Sequence, residues 1–126
     1  MKKAVIWIVL GVIACITANI AMAFYNTMKE AETIQIKSID ISQIADGMYE
    51  GEYQIGLVQV VAEVMVQDGK LSRIQLLEHH NGLGKKAEDI TRIMIEENRL
   101  DVDTITHATI SSLAIAKACE QAITEY

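Results

Sequence analysis

Val58-Gln59-Val60-Val61-Ala62-Glu63-Val64-Met65-Val66-Gln67-Asp68-Gly69-Lys70-Leu71-Ser72-Arg73-Ile74-Gln75-Leu76-Leu77 decides the fold class of this chain. Val58, Val60, Ala62, Val64 and Val66 recur every second residue, opposite Gln59 and Glu63, which is the pattern of a strand with one buried face. The strand reads from Gly56 to Val66. Asp68-Gly69 supplies two residues that tolerate positive φ, as the type I′ turn of a two-residue hairpin requires. Leu71 to Leu77 then returns, with Ile74 and Leu76 alternating against Arg73 and Gln75.

Working outward toward the N-terminus, Asp46-Gly47 is a turn signal, and Met48 to Tyr53 alternates around Tyr49, Gly51 and Tyr53 as a further strand. Toward the C-terminus, Glu78-His79-His80-Asn81-Gly82-Leu83-Gly84 interrupts the alternation. The glycines flanking Leu83 permit positive φ or a close approach of backbone to a ligand. Lys85 to Arg99 follows helical spacing, with Ala87, Ile90, Ile93, Met94 and Glu97 on one side and Glu88, Arg92 and Glu96 toward solvent. After Thr109, which sits at or just before its start, a last helix runs to about Tyr126 with Ile115, Ala118, Cys119 and Ala122 on one face, and its many alanines allow close packing on a sheet. The expected fold is α+β, a small antiparallel sheet with packed helices, preceded by one N-terminal transmembrane helix.

That membrane segment explains the composition. Hydrophobic residues make up 51% of the 126-residue chain, with a mean hydropathy of +0.22. From Ala4 to Phe24 no residue is charged, about the length that spans a bilayer as a helix. Lys2 and Lys3 precede it, which keeps the N-terminus cytoplasmic and sends the rest across. Three fates fit the segment. Lasting anchorage is favoured by its length; cleavage after Ala21-Met22-Ala23 is a second, and acylation at Cys15 within Val12-Ile13-Ala14-Cys15 a third. All three put the domain on the same side. The organisation read from the sequence is residues 1–25 as anchor or signal segment, 26–43 as connector and 44–126 as the folded domain.

The net charge of −6 argues against nucleic acid as a partner, because phosphate contacts need clustered Lys and Arg. The two cysteines offer neither a disulfide nor a C-x-x-C metal spacing, and Cys119 reads as a small core residue. A metal site built from His79, His80 and His107 is disfavoured, since adjacent strand residues point to opposite faces. Paired catalytic carboxylates and a nucleophile–base pair are absent from the sequence pattern, which argues against a self-contained hydrolase.

Between the two C-terminal helices lies Asp103-Thr104-Ile105-Thr106-His107-Ala108-Thr109-Ile110-Ser111-Ser112. Hydroxyls and backbone N–H groups at a helix start suit a phosphate, and they equally suit ordinary capping. Asp103, Thr106, Ala108 and Thr109 resemble the Asp-x-x-(Ser/Thr)-Gly-Ala-Thr signature of the FMN-binding domain family, which includes the C subunit of the sodium-pumping NADH:quinone reductase. The resemblance extends to Asp-Gly-x-Tyr-x-Gly at residues 46–51 and to Gly82-Leu83-Gly84, and spans about Ile44 to Ile123.

The resemblance implies FMN as cofactor, linked by a flavin transferase through a phosphoester to Thr109, with Asp103 read by that transferase and Gly82, Leu83 and Gly84 near the isoalloxazine ring. Tyr49 and Tyr53 are candidates to stack on that ring, although tyrosines on a strand more often cover a core. The implied role is an electron-carrying flavoprotein or redox-complex subunit rather than a stand-alone enzyme, single-pass in the cytoplasmic membrane of a prokaryote with its domain extracytoplasmic. Its redox partners are not named by the sequence. One position departs, because His107 stands where the family has Gly. If the turn demands Gly-like φ, a noncovalent flavin binder or a flavin-free adaptor of a membrane complex becomes the expected alternative.

Overall fold

A computed structural model describes residues 1–80 and 85–125. Helix α1 runs from Lys2 to Thr33, and a short 3₁₀ turn at Ile41–Gln43 follows. Strands β1 (Gly47–Ile55), β2 (Val58–Gln67) and β3 (Lys70–His80) form an antiparallel sheet in the order β1-β2-β3. Helices α2 (Lys85–Glu97) and α3 (Thr109–Thr124) pack on one face of it, α3 against β1 and β2 and α2 against β3. The fold is α+β.

The alternation on β2 holds: Val60, Ala62, Val64 and Val66 are buried, and Glu63 and Met65 turn away from the core. Asp68 and Gly69 take φ of 52° and 72°, and Gln67 pairs with Lys70 across them, as a two-residue type I′ hairpin requires. The return strand departs from the simple reading. It continues through His80, and two irregularities, between Met65 and Val66 and between Val61 and Ala62, shift its register. Leu71 and Ile74 are three apart, as are Leu76 and His79, so strict alternation would turn one of each pair outward. A bulge between them restores the phase and keeps all four on the helix side.

Helix α2 ends where Asn98 enters the left-handed region at φ 52°, with Arg99 N–H bonded to Met94 O and Asn98 N–H to Ile95 O. This is the paired bonding of a Schellman ending. Asn98 then clamps the hairpin: its Oδ1 accepts from Leu71 N–H at 2.8 Å, and its Nδ2 donates to Gly69 O at 3.3 Å.

Helix α3 lies on the sheet at unusually short range. Gly51 on β1 faces Ala62 on β2, and a Cβ at Gly51 would overlap the Ala118 carbonyl oxygen and the Ala122 amide of α3. Ala114, Ala118 and Ala122 are fully or almost fully buried, as their small side chains at a close helix–sheet contact require. Tyr49 and Tyr53 flank Gly51 on the same face and pack against the core. The Tyr49 hydroxyl donates to Ala45 O.

One charge is buried in this layer. Glu120 is 3% exposed; its carboxylate accepts from Lys117 Nζ at 2.7 Å and from Lys37 N–H at 2.9 Å, tying the connector to α3. Replacing it by Gln removes the charge from two hydrogen bonds while keeping the shape. Glu120→Gln is therefore expected to lower the unfolding free energy by about 1–2 kcal/mol, measured by urea titration.

Cys119 is fully buried, and burial pushes its thiol up to about 12. Because the folded pKa is raised, its contribution to stability is complete below the unfolded thiol's ordinary pKa and is lost as pH rises toward the folded value. Above the ordinary thiol range, Cys119→Ala is expected to flatten the alkaline fall in stability. Alkylation of Cys119 in the folded protein is expected to be negligible at neutral pH.

Along its apolar run α1 keeps its side chains exposed on every side. It is long and apolar enough to cross a membrane. Its last turns touch the domain at Thr27 and at buried Ala31.

Candidate functional site

The start of α3 is built without a side-chain cap. Its N-cap is Ala108, which has no acceptor to offer, and no acidic residue occupies the first turn. The nearby hydroxyl of Ser112 is turned to another task, accepting from Ile105 N–H at 3.1 Å and so closing the preceding turn on the helix. Ser112 N–H donates to Ala108 O at 2.9 Å as the first helical bond. The capping explanation for these hydroxyls therefore does not hold at Ala108. The positive end of the helix dipole is left without a protein counter-charge in its first turn.

Thr109 is the first helical residue and is exposed, whereas Ser111 and Ser112 behind it are buried. His107 forms the turn with φ of 66°. This is the left-handed conformation that glycine adopts freely, and that histidine enters more readily than most side chains. The position thus does require Gly-like φ, and this chain meets the requirement with a strained imidazole.

A cleft of about 620 Å³ opens in front of this turn. His107, Ala108, Thr109, Ile110 and Ser111 form one wall, and Ile55, Leu57 and Val58 from the β1–β2 turn form the second. The third comes from α1, through Ile20, Ala23, Phe24, Thr27 and Met28. Its volume falls within the ~300–1,000 Å³ of small-molecule sites, and its walls are mostly apolar with a few polar side chains, Thr27, His107, Thr109 and Ser111, among them.

Of the residues singled out in the sequence, Thr109, Ala108 and His107 line this cleft. Thr106 and Asp103 are exposed on the approach to it and are not part of its wall. Gly82, Leu83 and Gly84 lie outside the described residues. Tyr49 and Tyr53 serve the core instead of the cleft.

A model of the FMN-binding domain matches residues 56–124, more than half of the chain, from the β1–β2 turn through α3. The chain belongs to the FMN-binding domain family. FMN is its cofactor. No curated protein matches the chain.

The cleft of this FMN-binding domain fits the group in kind. An uncapped helix start and neutral hydroxyls suit a phosphate, and the apolar walls suit a ring system. The sequence did not reveal the α1 wall, because an apolar residue that faces lipid and one that faces a cleft have the same composition. Nor did it reveal that β3 turns His79 inward. The His79 side chain is 6% exposed with Nδ1 3.5 Å from Glu88, whereas the His80 side chain is 62% exposed. Among the described residues, no three His, Cys, Asp or Glu side chains gather as a metal group.

Proposed function

We propose that this protein is a membrane-anchored, extracytoplasmic FMN carrier in electron transfer, with FMN joined by a phosphoester to Thr109. The observation that carries the reading is the position of Thr109. It is exposed in the cleft on the first turn of a helix whose N-terminus has no side-chain cap. Backbone N–H groups of that turn would hold the phosphate, and Ile55, Val58 and Ile110 would flank the ring and exclude water. Asp103 and Thr106, exposed ahead of the turn, are accessible for a transferase to read. FMN supplies the redox chemistry when bound, while the chain provides attachment and a medium of low polarity around it.

The anchor in this reading is α1, kept in the membrane with Lys2 and Lys3 on the cytoplasmic side. Noncovalent FMN binding is the second reading, favoured by the Gly-like φ of 66° that His107 adopts and by one further observation. The His107 imidazole stands in the wall of the cleft where the family signature has no side chain.

The deciding experiment is in-gel flavin fluorescence of the full chain coproduced with a flavin transferase and denatured before electrophoresis. Fluorescence that migrates with the chain is the expected result. A dark band from a preparation that carries flavin before denaturation would replace the covalent reading with the noncovalent one. A preparation without flavin at any stage would overturn both.

A further inference from the structure

We propose that the β1–β2 turn, with Leu57 at its tip, inserts into the headgroup–acyl boundary of the membrane that α1 crosses, so that the FMN cleft opens at the lipid surface. The inference rests on the reading of α1 as a retained anchor and goes beyond it by fixing the domain's height and orientation on the bilayer.

Three observations converge on the turn. Leu57 is a large apolar side chain at a hairpin tip and is 79% exposed. Its neighbour Gly56 has φ of 56° and is seated on α1, since a Cβ there would come within 2.5 Å of Thr27 Oγ1. That contact holds the turn at a definite level along the helix. At this level Leu57 shares the cleft with Ile20 and Phe24, which belong to the uncharged run and are each 64% exposed.

The position of the membrane boundary follows independently from α1. The apolar run ends at Phe24, Tyr25 follows, and the first charge after it is Lys29, whose Nζ lies 5.2 Å from the Tyr25 ring centre. An aromatic residue beside a snorkelling cation is the usual composition of an interfacial belt. Trp7 marks the opposite belt, and from Trp7 to Tyr25 the helix rises about 27 Å at ~1.5 Å per residue. A hydrocarbon core is ~30 Å thick, so Phe24 and Tyr25 fall at its outer edge. The α1 wall of the cleft, from Ile20 to Met28, straddles that plane.

Charge is arranged to match. Among the described residues, the cleft lining contains no Asp, Glu, Lys or Arg. Glu50, Glu52 and Glu63 are carried on the opposite, outer face of the sheet. A lipid surface is therefore the partner whose chemistry fits an exposed leucine tip beside an uncharged cleft at this height.

The test uses the full chain in phosphatidylcholine vesicles with acyl chains brominated close to the headgroup. Wild type has one tryptophan, Trp7, which reports on α1 alone. The double variant Trp7→Phe/Leu57→Trp moves the single reporter to the turn. Its emission is expected to shift to the blue, to lose most of its intensity in brominated vesicles, and to resist aqueous iodide.

If the reporter at position 57 is quenched by iodide and indifferent to bromine while wild-type Trp7 is quenched by bromine, the anchor stands and the docking is overturned. If wild-type Trp7 is itself indifferent to bromine, the anchoring reading fails and the docking fails with it. Leu57→Cys carrying a nitrobenzoxadiazole label in a Cys15→Ser background gives the same reading with a different side chain. Buried Cys119 stays unlabelled there. Agreement between the two reporters excludes a local effect of the indole.

Discussion

Thr109→Ala is expected to abolish flavin fluorescence on a denaturing gel completely, while Thr104→Ala leaves it unchanged. Both threonines are exposed and lie in the same loop-to-helix segment, so each substitution has a small effect on folding. Of the two, only Thr109 lines the cleft, at the first turn of α3. A phosphoester needs its hydroxyl oxygen, and alanine supplies none. The effect is all-or-none because a bond is lost, not a binding energy reduced. A fluorescent Thr109→Ala band would move the link to another hydroxyl, with Ser111 the other α3 hydroxyl in the cleft wall.

His107→Gly belongs in the same experiment and acts in the opposite direction. A non-glycine residue in the left-handed region costs about 1–2 kcal/mol, and glycine returns some of this through its own larger unfolded-state entropy. The net expectation is a gain of roughly 0.5–1 kcal/mol in stability. The variant also clears the imidazole from the cleft wall, so the flavin-loaded fraction is expected to rise. A loaded fraction that falls in His107→Gly would mean that the imidazole contributes to holding FMN.

Gly51→Ala is expected to have the largest effect on stability. The added methyl group meets the backbone of α3, at the Ala118 carbonyl and the Ala122 amide, with the Ala122 Cα also only 2.8 Å away. Flexible side chains can yield to such a group; a helix backbone moves only by shifting the whole element. Overpacking of this kind costs about 3 kcal/mol, the upper end for a single core substitution. For a domain of this size that corresponds to a fall of roughly 10–20 °C in Tm, read by circular dichroism in detergent.

Because the obstructing atoms are backbone, trimming a neighbour with Ala118→Gly is not expected to rescue the variant. A change of Tm within a few degrees would show that α3 slides on the sheet without loss. The displacement also reaches function. Thr109 sits at the start of the displaced helix, so covalent loading is expected to fall even in the fraction of Gly51→Ala that folds.

Much of this was legible in the residues because local physics alone dictated it. The Val58–Val66 alternation, the Asp68-Gly69 turn and the helical spacing of residues 85–99 each depend on near neighbours in the chain, and each is found in the fold, except that Glu97 is exposed and Ile95 rather than Ile93 packs on the core. The apolar run to Phe24 is set by composition. The family signature around Thr109 is a pattern of residue types and needs no coordinates.

The tertiary structure decided the rest, because it depends on elements distant in sequence. Two bulges turned Leu71, Ile74, Leu76 and His79 to one face, a choice made by the helices that cover that face. Gly51 gained its meaning only from α3, some seventy residues later, lying on it. Ala108 became an uncapped N-cap because the chain enters α3 at that residue, whose side chain offers no acceptor. His107 was visible as a departure, but its left-handed φ was not, since φ is fixed by how the chain must turn to enter α3. The cleft has α1 as a wall, and no local pattern can encode which side of a membrane helix its own domain will lean on.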